Sequence, residues 1–139
     1  GQGAEESWGY NNRPAEYLPG NNSYIKEVAV VRAAKRKRIA LPGSNVVYDL
    51  MTPDMKRKLE VMHMRVTRGD NSGEEPMLDS PGEKLCMVMK GILELRVGQE
   101  VYRLEEGDTL YYPAHVPHSW RAVEGDSIEV IWILTPPSF

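Results

Sequence analysis

The sequence predicts an all-β domain, built as a sandwich or barrel of short strands. Runs of about five or six residues rich in Val, Ile, Tyr or Leu recur along the chain, and a turn sequence closes each run. Gly stands at most of these turns, where it supplies the positive φ that a tight reversal requires. No stretch sustains a helical apolar period for more than one turn. Many short strands at close spacing are typical of a β-sandwich or barrel.

The beginning of the chain predicts an irregular arm or linker over residues 1–26, followed by one folded domain over residues 27–139. The arm is rich in Gly, Asn, Pro and Ser and has neither a helical nor a strand period. Trp8 and Tyr17 would gain from packing, so we expect a docked arm rather than full disorder. Because the chain opens Gly1-Gln2-Gly3, we expect residues added in cloning or a piece of a longer protein with a segment missing upstream.

The strands predicted within the domain follow one another closely. In chain order they are Val28–Arg32, Arg38–Leu41, Val46–Leu50, Leu59–Thr67, Leu85–Met89, Ile92–Val97, Val101–Leu104, Thr109–Tyr112, Ser119–Ala122 and Ile128–Leu134. The sequences between them predict tight turns, at Leu41-Pro42-Gly43-Ser44, Lys90-Gly91, Gly98-Gln99, Glu106-Gly107-Asp108 and Glu124-Gly125-Asp126. Thr52-Pro53-Asp54 has the form of a helix start, but the residues after it soon become strand-like.

Composition excludes several classes of function. A formal net charge of −3 gives no overall attraction to nucleic acid. No apolar stretch reaches the roughly 18 to 20 residues that a membrane span requires, and the sequence does not start with a signal-like charged-then-apolar pattern, so we expect a cytoplasmic protein without membrane association. The single Cys86 excludes an internal disulfide and a four-thiolate zinc site. The remaining candidate metal ligands are His63, His115, His118, Cys86 and the carboxylates.

The spacing of residues between Gly82 and His118 resembles that of the cupin superfamily. Gly107, Pro113 and His118 match the second cupin motif, which has a glycine, a proline six residues later and a histidine five residues after that. Gly91 matches the last glycine of the first motif. The resemblance implies a double-stranded β-helix, which is a jelly-roll-type barrel, with His118 at a position where the family has a metal ligand.

The other ligand positions of the family do not carry ligands here. Counting back from Gly91 places Lys84 at the position of the metal-binding Glu, and Leu78 and Ser80 at the two His positions. A count shifted by one residue places Met77 and Asp79 at the two His positions instead, and these two do not form a better set of metal ligands. Because a lysine adds a cation beside the would-be metal, we predict no cofactor and no metal bound in the usual cupin manner.

Two other interpretations of the histidines remain open. An atypical metal site would enlist His118 with His63, Asp79 and His115. Alternatively, His118 is a hydrogen-bonded histidine of the barrel, and the other two histidines are surface or structural residues.

A pocket without metal is the third interpretation. If the motif geometry holds, Lys84 and His118 both point into the barrel mouth, where two converging donors in apolar surroundings suit a carboxylate or another small anion. The predicted ligand-binding residues are Lys84, Cys86, His118, Trp120 and Met64, and Met62 and Met87 are further candidates for the lining. Alternation along a strand allows only some of these side chains to point inward.

Residues 28–139 also resemble, in order and spacing, the C-terminal cupin half of Xre-type helix-turn-helix bacterial transcriptional regulators. The matching runs are Val30-Val31-Arg32-Ala33, Lys35-Arg36-Lys37-Arg38, Leu41-Pro42-Gly43-Ser44, Tyr48-Asp49-Leu50-Met51-Thr52-Pro53-Asp54, Arg57-Lys58-Leu59-Glu60, Ser72-Gly73-Glu74-Glu75-Pro76 and Thr135-Pro136-Pro137-Ser138-Phe139. The resemblance implies a homodimeric domain that senses a small-molecule effector. DNA would be bound only through a missing N-terminal domain, because the arm has no helical pattern. A stand-alone cupin enzyme, a metal-dependent isomerase or dioxygenase with an atypical site, is the alternative.

Overall fold

The computed structural model describes residues 28–40, 46–77 and 81–137. The predicted arm and the predicted turn at Leu41-Pro42-Gly43-Ser44 lie outside the described residues. All the strands described below belong to one compact unit, Val31–Phe139. Within the described ranges, no helix has both the length and the apolar character to cross a membrane.

The described residues form strands and one short 3-10 turn, Ala33–Lys35, so the all-β class is confirmed. The strands are β1 (Arg38–Ala40), β2 (Val47–Leu50), β3 (Glu60–Val66), β4 (Glu83–Val97), β5 (Glu100–Leu104), β6 (Thr109–Pro113) and β7 (His118–Thr135). The predicted strand at Val28–Arg32 is wrong, because these residues pair with no strand in the described part of the chain. Their apolar side chains favour a strand, but Val28 and Val30 are exposed and gain nothing from packing.

Two long strands organise the barrel. The strands lie in the order β1-β2-β3-β7-β4-β5, with β6 paired to β4, and all these pairings are antiparallel. β4 and β7 pair along almost their whole length, from Glu83 opposite Thr135 to Val97 opposite His118. The first half of β4 also pairs with β6, and its second half pairs with β5. The register shifts between Val88 and Leu93, where the two halves meet.

Glycine bends these long strands at two places where the sequence predicts turns. The predicted hairpin at Lys90-Gly91 is wrong, because β4 continues through it, and β7 likewise continues through Glu124-Gly125-Asp126. Gly91 and Gly125 have φ of +80° and +130° and lie against each other across the β4–β7 pair. Positive φ on both strands allows the pair to bulge and turn the corner of the barrel without reversing direction. The predicted reversal at Gly98-Gln99 is confirmed as the β4–β5 hairpin.

Alternation along the strands separates a buried inner face from an outer face. In β3, Met62, Met64 and Val66 are buried, whereas His63 and Arg65 between them lie on the outside. The same alternation in β7 buries the even-numbered residues from 128 to 134. The inner side chains form one hydrophobic core, and three polar residues, Glu60, Lys84 and His118, are buried with them.

Candidate functional site

A buried lysine and a buried histidine are in direct contact inside the barrel. Lys84 is in β4 opposite Tyr112 of β6 and Leu134 of β7, and His118 is the first residue of β7. The Lys84 Nζ atom lies 3.1 Å from Nε2 of His118. Lys84 is 6% exposed and His118 is 1% exposed, so bulk water has little access to the pair. The cupin motif count, which places both residues at ligand positions of one site, agrees with this contact.

The second ring nitrogen of His118 defines how the pair is bonded. Nδ1 lies 2.8 Å from the carbonyl oxygen of Val116, and because a carbonyl only accepts, Nδ1 carries a proton and donates it. In the neutral ring Nε2 is then an acceptor, and the ammonium of Lys84 donates to it. The motif spacing predicted two converging donors, but this arrangement presents one cationic donor and one acceptor. The ring of Tyr112, 4.9 Å away and tilted by 58°, packs on the imidazole.

A small cavity lies beside Lys84 on the inner face. Its volume is about 30 Å³, which is room for roughly one water molecule, and it is lined by Tyr48, Met62, Met77, Lys84, Trp120, Trp132 and Leu134. Burial raises the pKa of Tyr48, and a hydrogen bond with the Trp120 side chain works in the opposite direction. Among the described residues, the buried Nε1 of Trp132 has no hydrogen-bond partner. The cavity lining therefore includes Lys84 and Trp132, two residues whose polar side-chain groups only donate.

The remaining predicted pocket residues, Met64, Cys86 and Met87, do not line this cavity. Met64 and Cys86 are fully buried and belong to the hydrophobic core. Burial raises the pKa of the Cys86 thiol to about 12, although a hydrogen bond with the Leu110 backbone partly opposes this effect. The thiolate is therefore absent near neutral pH, and Cys86 acts as a small apolar residue. Met87 lies between buried Cys86 and Val88 in β4 and so faces the outside of the barrel.

The other two histidines, unlike His118, are not buried. His63 lies on the outer face of β3, where Nε2 is 2.9 Å from Oε1 of Glu129. Burial alone would raise the pKa of Glu129, but hydrogen bonds from Arg65 and His63, together with their charges, hold it below its usual value. His115 is exposed in the connection from β6 to β7, and Asp79 lies outside the described residues. His63 and His118 therefore cannot share one metal ion, because they project to opposite sides of the sheet.

The donor set at the family's metal position does not fit a metal ion. Nε2 of His118, the atom that would bind the metal, instead faces the Lys84 ammonium at 3.1 Å. The Lys84 ammonium would repel a metal cation bound at this position. In the parts of the chain that the structure describes, no group of three or more His, Cys, Asp or Glu side chains is arranged to hold a metal.

Several residues around this site have no sequence motif that predicts them. Tyr48, Met77 and Trp132 line the cavity, and Glu60 is fully buried on the same inner face. In the register, Glu60 and Lys84 both lie opposite Leu134, one on each side of β7. The alternation in β7 would have placed Trp132 inward, on the same face as Leu134. However, the local pattern of β7 does not indicate that its inward face lies next to Lys84.

Comparison with known proteins identifies relatives of this fold. The Cupin_2 family model, described as a cupin domain, matches residues 62–134. KdgF from Halomonas sp. matches with a TM-score of 0.63 and 20% identity, over 78% of this chain and 94% of that one. The Cupin_2 domain of an XRE family transcriptional regulator from Enterobacter cloacae matches with a TM-score of 0.56 and 18% identity, over 65% of this chain and 95% of that one. No curated protein is a significant match.

A structure of Fe(II) HppE matches with a TM-score of 0.64 and 18% identity, over 77% of this chain and 60% of that one. A second HppE structure with similar overlap is described as containing an alternative substrate. These likenesses confirm the double-stranded β-helix. They include a regulator domain and a protein with a substrate, so the fold alone does not choose between a sensor and an enzyme.

Proposed function

Since this chain belongs to the cupin family, whose model matches residues 62–134, we propose that it is a non-enzymatic, small-molecule-sensing domain of a bacterial transcriptional regulator. It binds a small anionic or polar effector inside the barrel, and DNA is bound by a separate domain of the parent protein. The observation that carries the proposal is the Lys84 ammonium, which lies on the inner face in contact with His118 at the position where the family places a metal ligand.

The chemistry of the cavity wall supports a ligand that brings its own acceptor oxygens. Lys84 Nζ and Trp132 Nε1 are both donors only, and the indole N–H has no acceptor among the described residues. A carboxylate offers two acceptor oxygens, and hydrogen bonds in which one or both partners are charged are the strong ones. Short carboxylates are therefore the first class of effector to test.

The size of the cavity limits the effector to a small molecule. About 30 Å³ holds roughly one water, so a two- or three-carbon acid fits only when wall side chains move. Met62 and Met77 form part of the wall, and Met77 is half-buried. Methionine side chains repack readily, because they are unbranched and have several rotatable bonds. Binding therefore requires a local rearrangement that starts at Met77.

The ligand proposal predicts a specific loss of binding. Trp120 and Trp132 line the cavity, so their fluorescence reports occupancy during titration with glyoxylate, glycolate, pyruvate and lactate. Lys84→Met is expected to weaken the affinity for the tightest of these acids by more than about a hundredfold, because it removes a charged hydrogen bond in a buried site. Trp132→Phe keeps an aromatic ring but removes the indole N–H, and is expected to cost about tenfold in affinity.

Lys90→Met is the matched control, since Lys90 is an exposed lysine of the same strand, and its affinity should equal that of the unchanged protein. Equal affinities for the Lys84→Met and Lys90→Met variants would contradict the proposal.

The regulatory part of the proposal has a separate test. A helix-turn-helix encoded immediately upstream of Gly1 would support it. A start codon just before Gly1, combined with stoichiometric metal in the purified protein, would instead favour the stand-alone cupin enzyme.

We also propose that the domain forms a homodimer, and an apolar row on the outer face supports this. Val61, Ile133, Leu85 and Tyr111 lie opposite one another across β3, β7, β4 and β6, and Tyr111 is 56% exposed. Such a row is suited to an isologous two-fold interface. Sedimentation equilibrium is expected to give twice the monomer mass of 15.7 kDa, and Leu85→Glu is expected to shift the protein to monomer. A 15.7 kDa species alone at high concentration would contradict the dimer.

A further inference from the structure

We propose that Lys84 captures a small carbonyl compound covalently, by forming a Schiff base inside the barrel with a short aldehyde or 2-oxo acid. This inference rests on the proposed ligand pocket, but it does not depend on the regulatory role. It assigns a nucleophile to the site and narrows the effector class to molecules with a reactive carbonyl group.

The contact between Lys84 and His118 is the first observation that carries the proposal. A lysine attacks a carbonyl only as the neutral amine, so a nearby base must accept its proton. Nε2 of His118 lies 3.1 Å from Nζ, within the range for proton transfer through a hydrogen bond. The bond from Nδ1 to the Val116 carbonyl holds the ring in the tautomer whose lone pair is on Nε2, facing Lys84. His118 is therefore oriented as the base for Lys84.

The surroundings of Lys84 are the second observation. The side chain borders a cavity whose other walls are mainly apolar or aromatic, and both members of the pair are more than nine-tenths buried. A buried amine is weakly solvated, which favours nucleophilic attack, and a dry site protects an imine from hydrolysis. The exposed lysines of the chain, such as Lys56 and Lys90, have no comparable enclosure.

The condensation balances with the groups that are present. The Lys84 ammonium transfers one proton to His118 Nε2, and the resulting amine lone pair attacks the carbonyl carbon to form the C–N bond. The carbonyl π electrons move to oxygen, which takes a proton from the attacking nitrogen to give a carbinolamine. The imidazolium of His118 then protonates the hydroxyl group, which leaves as water while the nitrogen lone pair forms the C=N bond. One ammonium and one carbonyl compound thus give one protonated imine and one water, and His118 returns to its neutral form.

The unpartnered indole of Trp132 indicates which carbonyl compounds fit. Trp132 lines the cavity and its buried N–H has no acceptor among the described residues, so a ligand with a carboxylate attached to the carbonyl carbon would supply the missing acceptor oxygen once the wall side chains move. The volume of about 30 Å³ favours the smallest members of the class. Glyoxylate has both an aldehyde and a carboxylate on two carbons, and it is therefore the probe of choice.

Reductive trapping tests the inference directly. The full chain is incubated with glyoxylate and sodium cyanoborohydride, which reduces an imine to a stable amine, and digestion followed by mass spectrometry measures carboxymethylation at each lysine. Lys84 is expected to be modified more than about tenfold faster than exposed Lys56, Lys58 and Lys90. His118→Asn is expected to slow trapping at Lys84 by about a hundredfold, the usual contribution of a positioned base. Glycolate, which has no carbonyl carbon at the reacting position, should protect Lys84 without modifying it.

The controls separate this inference from the proposed pocket. Lys90→Arg should leave trapping at Lys84 unchanged, and Lys84→Arg should leave only the slow background on exposed lysines. If the His118→Asn protein does not fold, the rate at Lys84 against exposed lysines in the unchanged chain still decides the question. Modification of Lys84 no faster than Lys90 would overturn the inference. If glyoxylate then still quenches the tryptophan fluorescence, the ligand pocket is supported and only the covalent capture is contradicted. If no acid changes the fluorescence, both the ligand pocket and the covalent capture are contradicted.

Discussion

Replacing His118 by Leu is expected to lower the free energy of unfolding by about 3 kcal/mol or more, because it removes one member of a buried, hydrogen-bonded pair. The change leaves the Lys84 ammonium without the acceptor that now lies 3.1 Å away. Lys84→Met is expected to destabilise the protein less, since a thioether chain of similar length fills the space without requiring solvation. Urea unfolding followed by tryptophan fluorescence provides both values.

The double variant tests whether Lys84 and His118 stabilise the protein as a coupled pair. If the two side chains act as a unit, Lys84→Met costs less free energy in the His118→Leu background than in the unchanged protein. We expect a coupling energy of about 1 to 3 kcal/mol from the double-mutant cycle. The exposed pair Arg38 and Asp49 is the control, because its 3.2 Å contact involves side chains that are 73% and 32% exposed. Its coupling should be below about 1 kcal/mol. Additive effects of the Lys84 and His118 substitutions would contradict an energetically coupled pair.

Gly91→Ala is expected to lower the free energy of unfolding by about 3 kcal/mol, through two separate effects. The φ of +80° costs an L-residue about 1 to 2 kcal/mol. A Cβ at this position would also lie 2.7 Å from Cγ1 of Ile128 and 2.8 Å from the carbonyl oxygen of Glu124. Ile128 is fully buried and Glu124 contributes backbone, so neither atom can move away easily, and such overpacking costs a further 1 to 3 kcal/mol, approximately.

Gly107→Ala provides a matched comparison for this second prediction. Gly107 has a φ of +88°, close to that of Gly91, but no atom lies within 4 Å of the position a Cβ would take. Its substitution should therefore show the backbone cost alone, about 1 to 2 kcal/mol. Thermal or urea unfolding of the two variants separates the effects. Equal losses of stability would mean that the close approach of β4 and β7 at Gly91 does not contribute.

The local sequence pattern predicted much of the fold, because it shows where apolar and polar residues alternate along a strand. The run from Leu59 to Thr67 contains the alternation that the structure shows in β3, and the two-residue turn Gly98-Gln99 forms the hairpin it predicts. The same rules failed at Lys90-Gly91. A glycine with positive φ serves equally in a reversal and in a bulge, and only the continuous pairing of β4 with β7 distinguishes them.

The site was only partly predictable, for the same reason. Motif spacing selected Lys84 and His118, but Trp132, Tyr48 and Glu60 have no motif position and were missed. His63 was a candidate metal ligand, and its actual partner, Glu129, is 66 residues away in the chain. Which residue faces which across a sheet depends on the register between distant strands, and the pattern of one strand contains no information about register.

By itself, the sequence determined the all-β class and the resemblance to cupins, and the motif count predicted Lys84 at the position of an acidic metal ligand. Only the tertiary structure decided that Lys84 and His118, 34 residues apart, are in contact, that Lys84 and Trp132 line one cavity, and that His63 projects to the other side of the sheet. Composition and motif spacing describe local stretches of the chain. The pairing of β4 with β7, and of β3 with β7, instead joins segments that are far apart in the sequence. The sequence therefore specifies the buried cation, Lys84, but only the fold brings it into contact with His118.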